Sequence, residues 1–424
     1  MSRNKRKWSS PLKLDNTLVL KNRVIKAATH AGSSFEEMGR TYERLAKNSV
    51  GMITVAYVSV SEKNKTFENQ HHIGEDNLKD WKRLVKRVGT KMCAQLHHPG
   101  LFSWSPKSTP QGPSMFWLPS KISIPKVMTK KMLQEVREQY RVAAELCRRA
   151  GFHCIELHCG HGYLLSQFLT PIINRRSDAF GGNASKRTCT ISVHVVFSQT
   201  TLTHTHTGTE FPKMCLEACL ESKLPVVVKM NAEDGFPGGL KLDDALVAAK
   251  IFVKAGASAI VPSFGYTSLN GFGMLRGNVP YEKMAQAFSS VFASSLLKLF
   301  GKWLVPQIEY ESLFLRDYSK KFLNALRPLG GNVIYIGGAD SVDTIETVLE
   351  DGCVAVQLGR PLIREPWFVR KMEQEQHAKS LCIRCNYCTL SSIDPVKFPS
   401  GCVFLNEGDE GGDIEDLYRS SSKL

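Results

Sequence analysis

Three side chains able to donate a hydrogen bond or a proton fall within six residues of one another. They are His158, His161 and Tyr163, in the run Glu156-Leu-His-Cys-Gly-His-Gly-Tyr163. Neutral imidazole and phenol are both donors at pH 7, so the trio can hold a substrate carbonyl oxygen and deliver a proton beside it. A lone histidine is better read as a core or loop residue satisfied by backbone. Here the trio follows the strand-like run Phe152 to Leu157 and precedes Pro171, Asn174, Asp178, the Gly181-Gly182 turn and Arg187. Polar groups at that density, just past a strand, mark a site.

A site of this kind needs a scaffold that fixes the ends of several strands at once. Short β-rich runs recur along the chain at Val24 to Ala28, Met52 to Ser59, Lys91 to His97, Cys154 to His158, Pro225 to Asn231, Ala259 to Pro262, Val333 to Gly337 and Val354 to Leu358. Helical patterns such as Leu133 to Ala150 and Leu242 to Ala255 separate them. Eight strands alternating with helices predict an α/β protein, a (β/α)8 TIM barrel with its active face at the C-terminal ends of the strands.

Composition agrees with a globular enzyme. The chain has 424 residues, 42% of them hydrophobic, enough for one barrel of about 250 residues with insertions and a tail. No apolar run reaches the roughly 18 residues that span a bilayer, and the basic N-terminus lacks an apolar signal region. A soluble, cytoplasmic protein is expected, with no membrane partner. Twelve scattered cysteines in a long chain without a secretory signal read as reduced thiols rather than a disulfide framework. The formal charge of +15 is spread over helical faces rather than a stripe interleaved with aromatics, which argues against nucleic acid. Oligomeric state stays open.

The stretch from His158 to Gly182 resembles the old yellow enzyme family of FMN-dependent ene-reductases and NADH:flavin oxidoreductases. That family's fourth strand carries H-x-A-H/N-G-Y-L-x-x-Q-F-L-x-P-x-x-N-x-R-x-D-x-Y/F-G-G. Gly160 replaces the usual alanine and Phe180 is an accepted aromatic. The resemblance spans roughly residues 10 to 375, the expected FMN-binding barrel domain. It implies FMN as cofactor, NAD(P)H as electron donor and a small enone-type molecule as substrate. His158 and His161 would then bind the carbonyl oxygen, and Tyr163 would be the proton donor.

The resemblance also implies the flavin contacts. Gln95, in Gln95-Leu-His-His-Pro-Gly100, takes the third-strand glutamine position, where an amide can both donate to and accept from the ring. Lys229 lies in the apolar strand Pro225 to Asn231, where an unpaired ammonium is costly. It needs an anionic partner, either reduced flavin or a carboxylate such as Glu233 or Asp234. Ala28 and Thr29 would lie against the flavin, with His30 on the substrate side, and Tyr57 stands where the family commonly has Ala or Gly. Gly337-Gly338 and Gly359-Arg360 follow the seventh and eighth strands, where barrels bind phosphate, and Arg360 adds a bidentate donor.

Two segments depart from the pattern. Cys189 to Thr209 contains a Thr-His repeat and no Lys, Arg, Asp or Glu, and deleting it joins Thr188 to Glu210 and restores the family's Gly-Gly-x4-Arg-x-x-Phe spacing. It reads as an insertion. Residues 376–424 form a cysteine-containing tail whose acidic end is expected to be partly disordered. Cys382, Cys385, Cys388 and Cys402 could hold an iron–sulfur cluster or zinc, although the spacing C-x2-C-x2-C-x13-C differs from the C-x2-C-x3-C-x11-C of related dienoyl-CoA reductases.

The expected function is NAD(P)H-dependent reduction of the activated C=C bond of an α,β-unsaturated carbonyl compound through FMN. Two alternatives stay open on sequence. One is an FMN-binding barrel impaired by the insertion at 189–209; the other is a flavin-free aldolase or isomerase, in which Lys229 would be the Schiff-base lysine and Gln95 would have no role.

Overall fold

The computed structural model describes residues 6–103, 109–116, 125–182, 208–287, 291–305, 307–392, 394, 397–398 and 400–405. Eight parallel strands form one sheet: β1 Val24–Lys26, β2 Met52–Ser59, β3 Lys91–His97, β4 Cys154–Cys159, β5 Val226–Glu233, β6 Ala259–Phe264, β7 Ile334–Tyr335 and β8 Ala355–Leu358. Their order is β6-β5-β4-β3-β2-β1-β8-β7. The sheet closes on itself where Ile260 of β6 bridges Val333, just before β7, with the Ile260 N–H donating to Asn332 O at 2.9 Å. The (β/α)8 barrel expected from strand and helix alternation is therefore present.

Each strand is followed by a barrel helix: α1 Phe35–Lys47, α2 Leu78–Val88, α3 Lys130–Ala150, α4 Glu210–Leu220, α5 Leu242–Lys254, α6 Arg316–Leu326, α7 Val342–Glu350 and α8 Phe368–Gln374. Local chemistry sets their ends. Ser34 and Glu37 form a capping box at the start of α1, and Thr129 caps α3, which stops at Gly151 in the left-handed conformation. Along α3 the residues Leu133, Val136, Tyr140, Ala144 and Cys147 recur at helical spacing and are buried against the strands.

Strand alternation sorts side chains between two layers. Residues such as Val24, Ile53, Ala94, Ile155 and Val228 face the helices. Their neighbours Ile25, Met52, Cys93, Cys154, Val227 and Ala355 fill the barrel floor, which the N-terminal hairpin Leu12–Lys13/Val19–Leu20 closes from below. Among the described residues no helix is long and apolar enough to cross a membrane.

Arg187 and nearly all of the expected insertion, residues 189–207, lie outside the described residues; Gly208 and Thr209 are described. Gly208 packs so closely on Asn174 and on the carbonyls of Phe168 and Phe180 that an added Cβ would meet them at 2.2, 2.4 and 3.0 Å. The chain thus returns beside the point it left, because Phe180 is two residues from Gly182. A variant lacking Cys189 to Thr209 is expected to fold to the same barrel, since the described chain on either side already meets where Gly208 packs on the Phe180 carbonyl. Its melting temperature and soluble yield should match or exceed those of the full chain; loss of folding would make the segment integral.

Candidate active site

Above the apolar floor the inward-pointing residues turn polar. Gln95, Glu156, Lys229 and Gln357 stand two residues beyond Cys93, Cys154, Val227 and Ala355, so strand periodicity puts them in the next layer up. Each is at most 3% exposed. Glu156 organises them: its Oε1 accepts from Lys229 Nζ at 2.9 Å and Gln95 Nε2 at 2.6 Å, and its Oε2 from Gln357 Nε2 at 2.5 Å. The anionic partner of Lys229 is therefore Glu156. Glu233 and Asp234 are engaged elsewhere, Glu233 by Lys241 and Tyr318, Asp234 by Asn231, Thr170 and the Leu240 N–H. Strand register explains this, since His158 of β4 is opposite Lys229 of β5 and Glu156 and Lys229 share the inner face.

Higher still, the proton-donating trio gathers into an aromatic cluster. The ring of His158 is 5.0 Å from those of both His161 and Tyr163. Tyr163 also meets His97 at 4.4 Å and Tyr57 at 5.3 Å, and Tyr57 meets His30 at 4.9 Å. Gly162, at φ +83°, makes this turn possible: a Cβ there would lie 2.3 Å from the Tyr266 ring.

The imidazoles are held neutral. Burial pushes His161 down to about 3, and His158 well below its ordinary value, with His161, His97 and Lys229 adding to the effect. His158 Nδ1 accepts the Gly160 N–H at 3.3 Å, which leaves the proton on Nε2. His161 is fixed through its backbone N–H to Asn231 Oδ1 at 3.1 Å and through Nε2 to Ser263 Oγ at 2.7 Å. Burial raises the Tyr163 pKa, while hydrogen bonds from Tyr57 and Thr267 lower it in part. A neutral phenol beside neutral imidazoles is the protonation state that proton donation requires.

The flavin positions inferred by resemblance surround this column. Lys26, at the end of β1, is pushed down to about 7, chiefly by burial and then by Lys229. Its Nζ donates at 2.7 Å to both Ala27 O and Thr29 Oγ1, fixing Thr29 next to Ala28. Thr29 in turn faces Gly359, whose added Cβ would lie 3.7 Å from its methyl group. Gly337 and Gly338 have φ of +116° and +80°, and a Cβ on Gly338 would meet Leu313 N at 2.7 Å, so the turn after β7 accepts little but glycine. Gln357 Oε1 and His30 Nε2 are buried without a partner in the described structure. The open Gln357 acceptor, in one layer with the Gln95 amide and the Lys229 ammonium, suits a flat heterocycle that both donates and accepts, as FMN does.

Arg360 points elsewhere. Its Nη1 donates to Arg276 O at 2.7 Å and Asn386 Oδ1 at 2.8 Å, because the short helix Arg360–Arg364 turns it toward the tail. There it lines one cavity with Cys382, Cys385, Cys388 and Cys402. Among the described residues no three His, Cys, Asp or Glu groups are placed to hold a single metal ion. Sequence reasoning missed the roles of Glu156, Gln357, His97 and Ser263. A carboxylate in the middle of the apolar run Phe152 to Leu157 was the available signal for the first.

A closed barrel with neutral proton donors above a buried lysine–glutamate pair defines a cofactor-dependent oxidoreductase site. The comparisons identify which kind. The sequence profile of the NADH:flavin oxidoreductase / NADH oxidase family matches residues 9–196. The 4,4'-dithiodibutanoate disulfide reductase of Rhodococcus erythropolis is 32% identical over 386 residues, 88% of this chain and 89% of its own. An NADPH dehydrogenase of Bacillus cytotoxicus is 28% identical over 270 residues, covering 60% of this chain and 71% of its own. Morphinone reductase shares the fold, with a TM-score of 0.63 at 21% identity over 90% of this chain and 92% of its own. The chain belongs to the NADH:flavin oxidoreductase / NADH oxidase family, the old yellow enzymes. It is an FMN-linked oxidoreductase that draws on NADH or NADPH.

Proposed function

We propose that the protein reduces the activated C=C bond of an α,β-unsaturated carbonyl compound. The observation that carries this reading is the column of neutral His158, neutral His161 and protonated Tyr163 directly above the Gln95–Glu156–Lys229 layer. FMN, when bound, supplies the hydride relay between NAD(P)H and the alkene. Gln95 and Lys229 would hold it from below, and Ala28, Thr29 and Tyr57 would line its edge. Gly337, Gly338 and Gly359 would supply backbone N–H groups to its phosphate.

The chain's own residues do the rest. His158 Nε2–H donates to the substrate carbonyl oxygen and opposes the negative charge that develops there. Ser263 Oγ keeps His161 facing the same space, and the substrate oxygen takes that hydroxyl's place on the imidazole. Tyr163 delivers the proton to the α-carbon. The same donors fit a second substrate class, a disulfide, in which Tyr163 protonates the departing thiolate. The likeness to a disulfide reductase over most of the chain favours including it.

For the four cysteines around the Arg360 cavity, we propose an iron–sulfur cluster or zinc as the group that thiolates lining one cavity would take. The purified protein is expected to be yellow and to bleach anaerobically on NADPH. Adding an enone should restore the colour, and 4,4'-dithiodibutanoate in its place tests the disulfide class. A colourless protein that binds no FMN on titration would sink the whole reading. A protein that bleaches but is reoxidised by neither substrate would sink the substrate assignment alone.

A further inference from the structure

The connection from β6 to α6 carries a pair of helices, Tyr281–Ala287 and Val291–Leu304. The second helix packs inward through Leu297 and Gly301. Gly301 lies so close to Tyr281 that an added Cβ would meet its ring at 2.7 Å, and Tyr281 OH donates to Val305 O at 2.9 Å. The opposite face is apolar too. Leu296, Leu299, Phe300 and Trp303 are 38%, 76%, 53% and 90% exposed, and their i, i+3, i+4, i+7 spacing makes one stripe. Lys298 and Lys302 flank it without an acidic partner in the described structure. An exposed stripe of this kind is uncommon on a surface with nothing bound to it.

The chain beyond Leu405 matches that stripe in both chemistry and reach. Residues 406–424 carry six acids, Glu407, Asp409, Glu410, Asp413, Glu415 and Asp416, together with Ile414, Leu417 and Tyr418 at i, i+3, i+4 spacing. The tail already touches the first helix of the pair, where Lys397 Nζ donates to Gln286 O at 3.4 Å. Nine Cα–Cα steps take the chain from Leu405 to Ile414 and extend to about 30 Å. The Val291–Leu304 helix is roughly 21 Å long.

We propose that residues 413–418 dock on this stripe. Ile414, Leu417 and Tyr418 cover Leu299, Phe300 and Trp303, while Asp413, Glu415 and Asp416 meet Lys298 and Lys302. Self-association through the same face would bring the lysine pairs of two copies together in a chain already carrying +15, which disfavours a second copy as the occupant.

Trp303 reports the contact. Emission and acrylamide quenching are recorded for the full chain, for a chain ending at Leu405, and for each with Trp303→Phe to isolate that residue's share. Trp303 is expected to be shielded in the full chain. It should shift to the red and quench faster in the shortened one, and recover when the 406–424 peptide is added at about millimolar concentration, the effective concentration of a short tether. Leu417→Asp and Lys298→Glu/Lys302→Glu, made in the full chain, should release it as truncation does, and salt should weaken the contact because exposed charges are screened. Equal exposure of Trp303 in all of these proteins overturns the proposal. So does shielding that depends on protein concentration, which means a second copy, or flotation of the full chain with phosphatidylserine vesicles through Trp303, which means a lipid surface.

Discussion

Tyr163→Phe slows reoxidation of the reduced protein by an enone about 10²–10⁴-fold, the usual worth of a positioned general acid, and leaves reduction by NADPH at the parent rate. The asymmetry follows from where the phenol stands. It is buried against His158 and His97, and that burial keeps its proton on the hydroxyl. Only the alkene half-reaction consumes that proton. Because burial raises the phenol above its ordinary pKa, the donor form persists as pH rises, and the parent's alkene rate should hold past pH about 10, where a free tyrosine ionises. Stopped-flow absorbance times the two halves separately. Equal slowing of both would assign Tyr163 a structural role and remove it from the chemistry.

Glu156→Leu is expected to destabilise the protein by about 3–5 kcal/mol, the cost of leaving a buried partner charge uncompensated. Lys229 is 2% exposed and has Glu156 as its carboxylate. The same substitution strips Gln95 and Gln357 of their shared acceptor. At roughly 2–4 °C per kcal/mol, the melting temperature should fall by about 10 °C. Glu156→Leu/Lys229→Met should recover most of that loss, because an apolar pair of similar volume often replaces a buried ion pair without penalty. Thermal unfolding of the two singles and the double gives the coupling directly. Additive losses would mean that the two residues act independently, and the polar layer would not be the unit described above.

Glu156 also shows where reading the sequence ran out. Strand alternation and the position of the ammonium in an apolar run were enough to require an anion beside Lys229. The nearest carboxylates along the chain were Glu233 and Asp234, and the one that closes on it comes from the neighbouring strand, 73 positions away. Inter-strand register decides such a contact, and register is set by how the whole barrel closes rather than by local propensity. Arg360 is a similar case: a glycine followed by arginine after the eighth strand suggested phosphate, yet the packed tail supplies Asn386, and the Arg276 carbonyl completes its contacts.

What the sequence determined by itself is whatever has a short period or a local motif. Eight β-rich runs separated by helical patterns were sufficient for the barrel, because period 2 and period 3.6 are written residue by residue. The run from His158 to Tyr163 was sufficient for the donors, because a strand end and a glycine turn place three side chains on one side of a single loop. Tertiary structure alone decided the protonation states and the partners. Neutral His158 and His161 follow from burial, and burial is a property of everything packed around a group. The column of Tyr57, His97, Tyr163 and His158 above the Glu156 layer joins residues from β2, β3, β4 and the turn after β4, brought together only when the strands close into a ring.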